Sequence, residues 1–387
     1  MLTTLAVSNY RSLRELVLPL DRLTLITGAN GAGKSNLYRA LRLLADTAQG
    51  GLVAAFARQG GLQSALWAGP EHISQRVRQG QHPVQGTARR HPVALKLGFS
   101  GDVFGYAIDL GLPTPSGSAF GLDPQIKREC IWAGPILRPA SLLVDRRGAA
   151  VRIRKSSGTW AESAYRIDAF DSMLAQYSDP GEAPEMHTVR ENIRRWRFYD
   201  HFRTDADAPA RASQIGTHTP VLGHEGADLA AALQTIIEIG DADALQQAVE
   251  YAFPQSSLSV RVSAGRFDIA MAQHGLLRPL AAAELSDGTL RYLLWTAALL
   301  TPRPPELLVL NEPEASLHPD LLPALGRLIV AASRRSQIIV VSHANRLIAT
   351  LAQQADCLHH VLTRDMAETR VADLRDGDTP AWNWPGR

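Results

Sequence analysis

Cysteine is almost absent from this sequence of 387 residues, which contains only Cys130 and Cys357. The two thiols lie far apart, and neither has a second pair of metal ligands nearby in the sequence. This spacing excludes a disulfide framework and a structural zinc site. We therefore expect both residues to be buried structural thiols, as free cysteines usually are.

Long hydrophobic runs are also lacking. None of the apolar stretches reaches the roughly 18 residues that a membrane helix requires. The first residues, MLTTLAVSNYRS, do not combine a basic start with a following apolar segment, as a secretion signal would. The sequence therefore predicts an unprocessed cytoplasmic protein without a membrane partner.

An excess of charge of one sign is missing too, because 40 Lys and Arg residues face 38 Asp and Glu residues and leave a net charge of +2. This balance does not by itself imply a nucleic-acid partner. With 45% apolar and 20% charged residues, the composition is that of a globular protein large enough for two lobes. We find no internal repeat and no heptad run.

The hydrophobic pattern predicts an α/β fold. An apolar strand, RLTLITG, runs into a helix, SNLYRALRLLADTA, and the last third alternates buried strands with helices. Between these parts lie short segments such as PVALKLGF and VFGYAIDLGL, which are separated by Gly, Pro, Ser and Asp and predict strands, followed by helical patterns and two alternating strands. We predict a core made of residues 1–45 and 275–387, a β-rich lobe at 46–158, and a mainly helical insertion with returning strands at 159–274.

The segment GANGAGKS, residues 28–35, fits the phosphate-binding pattern G-x-x-x-x-G-K-[ST] between a strand and a helix. Gly31 and Gly33 let backbone N–H groups curl around a phosphate, Lys34 reaches the β- and γ-phosphates, and Ser35 ligates Mg²⁺. The alternative is a glycine-rich turn that matches by chance. The candidate nucleotide contacts in this P-loop segment are Gly28, Asn30, Gly31, Gly33, Lys34, Ser35 and Asn36.

Two later strand ends carry candidate catalytic groups. ELLVLN leads into Glu312, and QIIVVSH ends at His343. A carboxylate at the carboxyl end of a parallel strand, at the same edge as a P-loop, is suited to orienting water for attack on a γ-phosphate. The alternatives are a helix-capping or salt-bridging carboxylate at Glu312 and an ordinary hydrogen-bonding residue at the strand end for His343. We expect Glu314 to hold local structure.

The segment ELSDGTLRYLLW, residues 284–295, places Ser286 and Gly288 at the mouth of a helix. A hydroxyl and free N–H groups at a helix start suit a phosphate, and a plain helix cap is the alternative.

In their order, the P-loop, LSDGT, LNEPEASLHP and VVSH resemble the motifs of ABC-type ATPases. More narrowly, the chain resembles the RecF and SMC branch, and within it the compact AAA/RecF-like ATPases, which combine a NYRSL-like start, here residues 9–13, with the EPEASLHP segment that begins with EPE at residues 312–314. The resemblance rests on residues 1–45 and about 275–387, with Asp287 and Thr289 departing from the usual LSGGQ. It implies a P-loop NTPase fold of the ABC type with ATP and Mg²⁺ as cofactors.

The resemblance also assigns roles to residues. It implies that Glu312 polarises the attacking water, that His343 contacts the γ-phosphate, that Arg11 lies near the nucleotide and that residues 316–319 lie at a subunit boundary. It implies that Asn311 holds Mg²⁺ through a bound water, where many relatives have Asp. Because Asn keeps an acceptor oxygen and loses a charge, we expect an enzyme that needs more Mg²⁺. The glutamine of the Q-loop stays open among Gln59, Gln63 and Gln125.

In ABC-type ATPases the segment that corresponds to LSDGT contacts the γ-phosphate of ATP bound by a second copy of the chain. The resemblance therefore implies a head-to-tail homodimer that ATP closes. The main hypothesis is an ATPase in DNA repair, recombination or anti-phage defence, with an effector or nuclease as a partner protein. The alternative is a nucleotide-gated regulatory module that hydrolyses little ATP and controls a partner protein.

A DNA partner is a further candidate, because Arg190, Arg194 and Arg197 share a face if residues 189–202 form one helix. The cluster continues through Arg195 and Arg203. Its aromatic residues, Trp196, Phe198 and Tyr199, suit base stacking, and they equally suit a core stripe beneath a solvated face. A second basic candidate is the strand with Arg152, Arg154 and Lys155. His359 and His360 point opposite ways on a strand, which predicts two ordinary histidines.

Overall fold

The computed structural model describes residues 1–70, 94–115, 117–177, 179–372 and 377–386. Its contacts divide the chain into two units: unit 1 comprises Met1–Asp21, Gly28–Arg195 and His360–Arg387, and unit 2 comprises Arg22–Thr27 and Trp196–His359.

The described strands and helices have the following bounds. The strands are β1 Leu2–Tyr10, β2 Leu13–Pro19, β3 Leu23–Gly28, β4 Leu95–Gly101, β5 Phe104–Gly111, β6 Gln125–Ala133, β7 Leu142–Arg147, β8 Ala150–Arg154, β9 Trp160–Glu162, β10 Arg197–Tyr199, β11 Gln214–Ile215, β12 Ser257–Ser263, β13 Arg266–Ala272, β14 Leu280–Ala281, β15 Leu307–Asn311, β16 Gln337–Val341, β17 Cys357–Asp365 and β18 Glu368–Val371. The α-helices are α1 Lys34–Ala48, α2 Leu52–Ala57, α3 Leu62–Ala65, α4 Met173–Gln176, α5 Pro184–Arg194, α6 Leu229–Ile239, α7 Ala242–Ala252, α8 Asp287–Leu299, α9 Leu322–Ser333 and α10 Asn345–Ala352.

Unit 1 contains an antiparallel sheet of eight strands in the order β2-β1-β4-β5-β6-β7-β8-β9. Tight turns join several neighbours. Arg147 pairs with Ala150 across a two-residue turn, and Gly148 there has φ 57°, a conformation that glycine adopts without strain. Helix α1 packs on β1 and β4, and Trp382 of the C-terminal segment packs on Trp132 of β6 with ring centroids 5.6 Å apart.

A buried ion pair holds helix α4 to this sheet. Glu129 on β6 accepts a hydrogen bond from Arg146 at 2.6 Å, and both side chains are fully buried. The same carboxylate accepts hydrogen bonds from Ser172 and from the backbone N–H of Met173, at the start of α4. Because this buried carboxylate accepts all three hydrogen bonds and balances the buried charge of Arg146, Glu129 is a structural anchor.

The sheet of unit 2 is parallel over β10, β15, β16 and β3, in that order, and β17 follows β3. The central strands β15 and β16 are almost entirely apolar, as expected for strands covered on both faces. Because the four strands are parallel, their carboxyl ends lie at one edge. Asn311 ends β15 and pairs with Val341 at the end of β16.

Helix α8 lies within the core of unit 2. Its residues from Thr289 to Leu299 are all buried, which is typical of a helix surrounded by other elements. Residues of α6, α7 and α9 belong to the same hydrophobic cluster, together with residues of β3, β15 and β16. The buried body of α8 therefore holds the start of the helix, where the LSDGT segment lies, in a fixed position.

The α/β class with a parallel sheet and a separate β-rich part is confirmed by the structure. The contacts group the chain differently from the three predicted regions, however, because unit 1 continues from residue 28 to 195. The division falls after residue 195 because the next strand, β10, pairs with β15 in the parallel sheet of unit 2.

Candidate functional site

The P-loop segment forms a tight turn between β3 and α1. Helix α1 begins at Lys34, and Gly33 before it has φ 107°. A Cβ on Gly33 would lie 2.0 Å from Thr369 Oγ1, so only glycine fits this position. The segment thus leads into the N-terminus of a long helix, an arrangement that binds anions through backbone N–H groups and the helix dipole.

The polar side chains of the P-loop segment differ in exposure. Lys34 is buried, and its Nζ donates hydrogen bonds to the carbonyl oxygens of Gly28 at 2.7 Å and Ala29 at 3.2 Å. The ammonium group is therefore held over the loop itself. Ser35 and Asn30 are exposed, so both side chains are accessible to a ligand.

The side chain of Asn36 is hydrogen-bonded to another part of the protein. Its Nδ2 donates to Ser12 Oγ at 2.8 Å, which lies 2.7 Å from Thr369 Oγ1. Thr369 in turn donates to the carbonyl oxygen of Ala32 at 2.8 Å. These hydrogen bonds connect the P-loop segment to Thr369 of β18 and stabilise its conformation. Sequence reasoning missed Ser12 and Thr369, because hydroxyl residues so far apart in the chain give no local signal.

Arg11 lies beside one of the three candidate Q-loop glutamines. Arg11 Nη2 donates to Gln59 Oε1 at 3.2 Å, and the hydroxyl of Tyr10 donates to the same oxygen at 2.8 Å. Burial raises the pKa of Tyr10, and the neighbouring Arg11 only partly offsets this. Gln59 is thus the glutamine that the structure joins to the NYRSL start.

Glu312 and His343, which the sequence singled out separately, lie together in unit 2. Glu312 Oε1 is 3.8 Å from His343 Nδ1, and their side chains are 40% and 53% exposed. Glu312 has φ 49°, a left-handed conformation that is unfavourable for a residue with a side chain. The strands before them are parallel neighbours, so the sheet itself brings this acid and this imidazole to one edge.

Glu314 holds the segment that carries His343. Its buried carboxylate accepts hydrogen bonds from Ser342 Oγ at 2.8 Å and from the backbone N–H groups of His343 at 2.7 Å and Ala344 at 3.2 Å. It also lies 3.2 Å from His343 Nδ1. The expectation that Glu314 maintains local structure agrees with these contacts.

Asn311 is the last residue of β15, and its amide has two different environments. Nδ2 donates to Asp200 Oδ1 at 2.6 Å, whereas Oδ1 is buried and accepts no hydrogen bond from any described residue. A buried carbonyl oxygen without a donor is unusual in proteins. The side chain therefore offers an acceptor to a ligand or a bound water.

The LSDGT segment forms the exposed start of α8. Ser286 caps the helix, because its Oγ accepts a hydrogen bond from the backbone N–H of Thr289 at 3.2 Å. This is the cap that the sequence allowed as an alternative. Ser286 and Asp287 are exposed and Gly288 is partly exposed.

Arg211 supports this segment, and sequence reasoning missed it. Its guanidinium donates to the carbonyl oxygens of Leu285 at 2.7 Å and Ala282 at 3.0 Å, and to Asp287 Oδ1 at 2.6 Å. The nearly buried Arg211 thus fixes the backbone before α8. It also balances the charge of Asp287, the residue that replaces the first glycine of the usual LSGGQ sequence.

The predicted basic helix face is wrong. Helix α5 ends at Arg194, and Arg197 begins strand β10, so Arg190, Arg194 and Arg197 do not lie on one helix. The pairing of β10 with β15 overrides the helical spacing. The aromatic residues between the arginines are buried core residues, namely Trp196, Phe198 and Tyr199. They are therefore not available to stack on bases.

Three of the remaining basic and histidine candidates, Arg152, His359 and His360, have protein partners. Arg152 pairs with the buried Asp145 at 2.8 Å. Although burial opposes it, hydrogen bonds from Arg128 and Arg152 hold the pKa of Asp145 below its usual value. His359 Nε2 lies 2.8 Å from Thr27 Oγ1, and His360 Nε2 lies 2.9 Å from the carbonyl oxygen of Pro19.

In the described ranges no group of three or more His, Cys, Asp or Glu residues is arranged to hold a metal ion. Among the helices of the described part, none is long and apolar enough to span a membrane.

Three solved structures that the chain is similar to are heads of SMC proteins. An Smc head bound to the C-winged helix domain of ScpA is 14% identical, with a TM-score of 0.47 and 96% of each chain covered. The SMC head domain from Thermotoga maritima is 15% identical, with a TM-score of 0.44 and 97% and 99% covered. An Smc head with an extended coiled coil, from Pyrococcus furiosus and bound to the C-terminal domain of ScpA, is 12% identical, with a TM-score of 0.47 and 96% and 95% covered.

Among curated protein sequences, none matches this chain. A family profile does match it, over residues 23–349, and the family is described as "AAA domain, putative AbiEii toxin, Type IV TA system". The match includes the P-loop segment, the LSDGT segment and both strand ends with Glu312 and His343. Because it spans far more than half of the chain, this protein belongs to that family of AAA ATPase domains, as the resemblance to compact AAA/RecF-like ATPases predicted.

Proposed function

We propose that this protein hydrolyses ATP in a Mg²⁺-dependent reaction that closes and reopens a head-to-tail dimer. Membership of an AAA family implies ATP binding and hydrolysis. The observation that carries the proposal is the pairing of Glu312 with His343 at the ends of adjacent parallel strands. The left-handed backbone of Glu312 supports it, because such costly conformations collect at functional sites.

In the proposed site the P-loop segment binds the phosphates of ATP through backbone N–H groups and Lys34. The segment follows directly after β3 in the chain. Ile26 of β3 pairs with Val341 of β16 in a parallel register, so β3 ends at the same sheet edge as β15 and β16. This is the edge at which ligands bind in open parallel sheets.

Each of the two residues that the resemblance assigns to the metal offers an oxygen, the ligand type that Mg²⁺ prefers, and the bound ion keeps several of its waters. Ser35 offers an exposed hydroxyl at the start of α1, and Asn311 offers a buried carbonyl oxygen that accepts no hydrogen bond from the described residues. Ser35 would hold the ion directly and Asn311 through a water. A bound Mg²⁺ would neutralise charge on the phosphate oxygens.

Two side chains would take part directly in the hydrolysis of ATP. Glu312 would orient the attacking water and accept a hydrogen bond from it, a role that needs an accessible carboxylate. His343 would donate a hydrogen bond to the γ-phosphate, while Glu314 keeps the His343 segment in place. Arg11 is proposed to lie near the nucleotide.

The start of α8 is proposed to contact the γ-phosphate of ATP held by a second copy. Ser286, Asp287 and Gly288 are accessible there, and a helix N-terminus favours negative charge. ATP would then stabilise the dimer by linkage, and hydrolysis would release it.

The family description names a putative toxin of a type IV toxin–antitoxin system. We therefore place this protein in a defence or toxin–antitoxin system in preference to DNA repair, with an effector or nuclease as its partner protein. The conformational change that accompanies ATP-dependent closure of the dimer would act on that partner.

Phosphate release by wild type and Glu312→Gln tests the proposal. The variant should bind ATP normally and release phosphate at least about 100-fold more slowly, since a positioned acid or base contributes 10²–10⁴-fold. Glu306→Gln is the matched control, because Glu306 is an exposed acid just before the amino end of β15. It should hydrolyse ATP at the wild-type rate.

The second candidate function is a nucleotide-gated regulatory module with little hydrolysis. Asn311 favours it, because the amide lacks the charge that Asp would bring to Mg²⁺ at this position. The same measurement discriminates the two functions: equal phosphate release by wild type and Glu312→Gln would support the regulatory module.

A further inference from the structure

Asp200 lies beside Asn311 because two neighbouring strands end at the same level. β10 and β15 are parallel, and Tyr199 pairs with Leu310. The next residue on each strand is therefore Asp200 on one side and Asn311 on the other. Asn311 Nδ2 donates a hydrogen bond to Asp200 Oδ1 at 2.6 Å.

This bond fixes the orientation of the Asn311 amide. An ionised carboxylate can only accept hydrogen bonds, so the NH₂ group of Asn311 must face Asp200. The carbonyl oxygen must then face away from Asp200, and it is the buried atom without a donor among the described residues. Leaving it without a partner costs free energy, which points to a ligand group that supplies the missing donor.

The charge of Asp200 has no counterion among the residues that the structure describes. Asp200 is exposed, and its described contact is the neutral amide of Asn311. A carboxylate that polarises an amide and is not balanced by a basic side chain attracts a cation. Together the two residues offer what a single Asp at position 311 would offer, namely one negative charge and one acceptor oxygen.

We propose that Asp200 is the acidic group of the divalent-cation site, supplying from β10 the charge that Asn311 lacks and aiming the Asn311 carbonyl oxygen at the water shell of the cation. Asp200 is thus a positioning residue. The inference rests on the proposed function, since the cation is the one that accompanies bound ATP.

The test measures cation binding directly. Mn²⁺ is titrated into the full-length protein with a non-hydrolysable ATP analogue, and free Mn²⁺ is followed by electron paramagnetic resonance. In parallel, the affinity for a fluorescent ATP analogue is measured in EDTA. Asp200→Asn should weaken Mn²⁺ binding by about tenfold, because a charge-assisted contact is about twice as strong as a neutral one. Its affinity for the nucleotide in EDTA should match that of wild type.

Two further variants make the result specific. The double variant Asp200→Asn with Asn311→Asp moves the acid onto β15 and should restore Mn²⁺ binding to near the wild-type level. Asp207→Asn, which removes another exposed carboxylate further along the chain, should leave Mn²⁺ binding unchanged.

Wild-type Mn²⁺ affinity in Asp200→Asn, or no recovery in the double variant, would overturn the inference while the proposed function stands. Absence of nucleotide binding by wild type in both assays would overturn the proposed function and this inference with it.

Discussion

Replacing Glu314 by glutamine should separate the two glutamates of the EPE segment into a structural and a chemical residue. The Glu314 carboxylate is buried. Its Oε1 accepts hydrogen bonds from Ser342 Oγ, His343 N and Ala344 N, and its Oε2 has no hydrogen-bond partner among the described residues. Glutamine keeps the shape of the side chain and removes its charge.

The magnitude follows from these contacts. Each of the three hydrogen bonds changes from charge-assisted to neutral, a loss of about 1 kcal/mol per bond at most. The new NH₂ group takes the position of Oε2, and a buried donor without an acceptor costs about 1–3 kcal/mol. Because such terms are not additive, we expect the free energy of unfolding to fall by about 3–5 kcal/mol in total.

Urea unfolding followed by circular dichroism measures this change, with Glu312→Gln as the matched control. The Glu312 side chain is 40% exposed, so its substitution should alter the free energy of unfolding by no more than about 0.5 kcal/mol. An unchanged unfolding midpoint for Glu314→Gln would refute the reasoning that Glu314 anchors the His343 segment.

Three other outcomes are expected. Arg211→Ala, which frees the start of α8, should weaken ATP-dependent dimerisation by about tenfold in analytical ultracentrifugation and spare ATP binding by the monomer. Glu129→Gln should lower the free energy of unfolding by about 3–5 kcal/mol in urea, because it leaves the buried Arg146 unpaired; an unchanged midpoint would contradict this. At pH 8 native Cys357 should react with iodoacetamide far more slowly than in urea, because burial raises its pKa to about 11 and leaves about a thousandth of it as thiolate.

The parts of the site that sequence predicts are those set by local pattern. The P-loop segment is recognisable because glycine, Lys34 and the flanking strand and helix lie within a few residues. Glu312 and His343 are recognisable because each follows a buried apolar strand. That the two residues meet follows from the parallel pairing of these strands, which the pattern only suggests.

The parts that sequence does not predict depend on contacts between distant segments. Thr369 braces the P-loop segment from the other end of the chain, and Asp200 reaches Asn311 only because β10 pairs with β15. The same pairing explains why Arg197 does not continue the preceding helix. Helical spacing of charged residues is a weak signal, and the buried Phe198 and Tyr199 stabilise the strand in its place.

The most direct test of the account is single-turnover hydrolysis, with the protein in excess over radiolabelled ATP and with saturating Mg²⁺. The account predicts that wild type converts its bound ATP to ADP and phosphate, whereas Glu312→Gln binds the same amount of ATP and converts it at least about 100-fold more slowly. Conversion at equal rates by the two proteins would contradict the claim that this chain is an ATPase whose chemistry depends on Glu312.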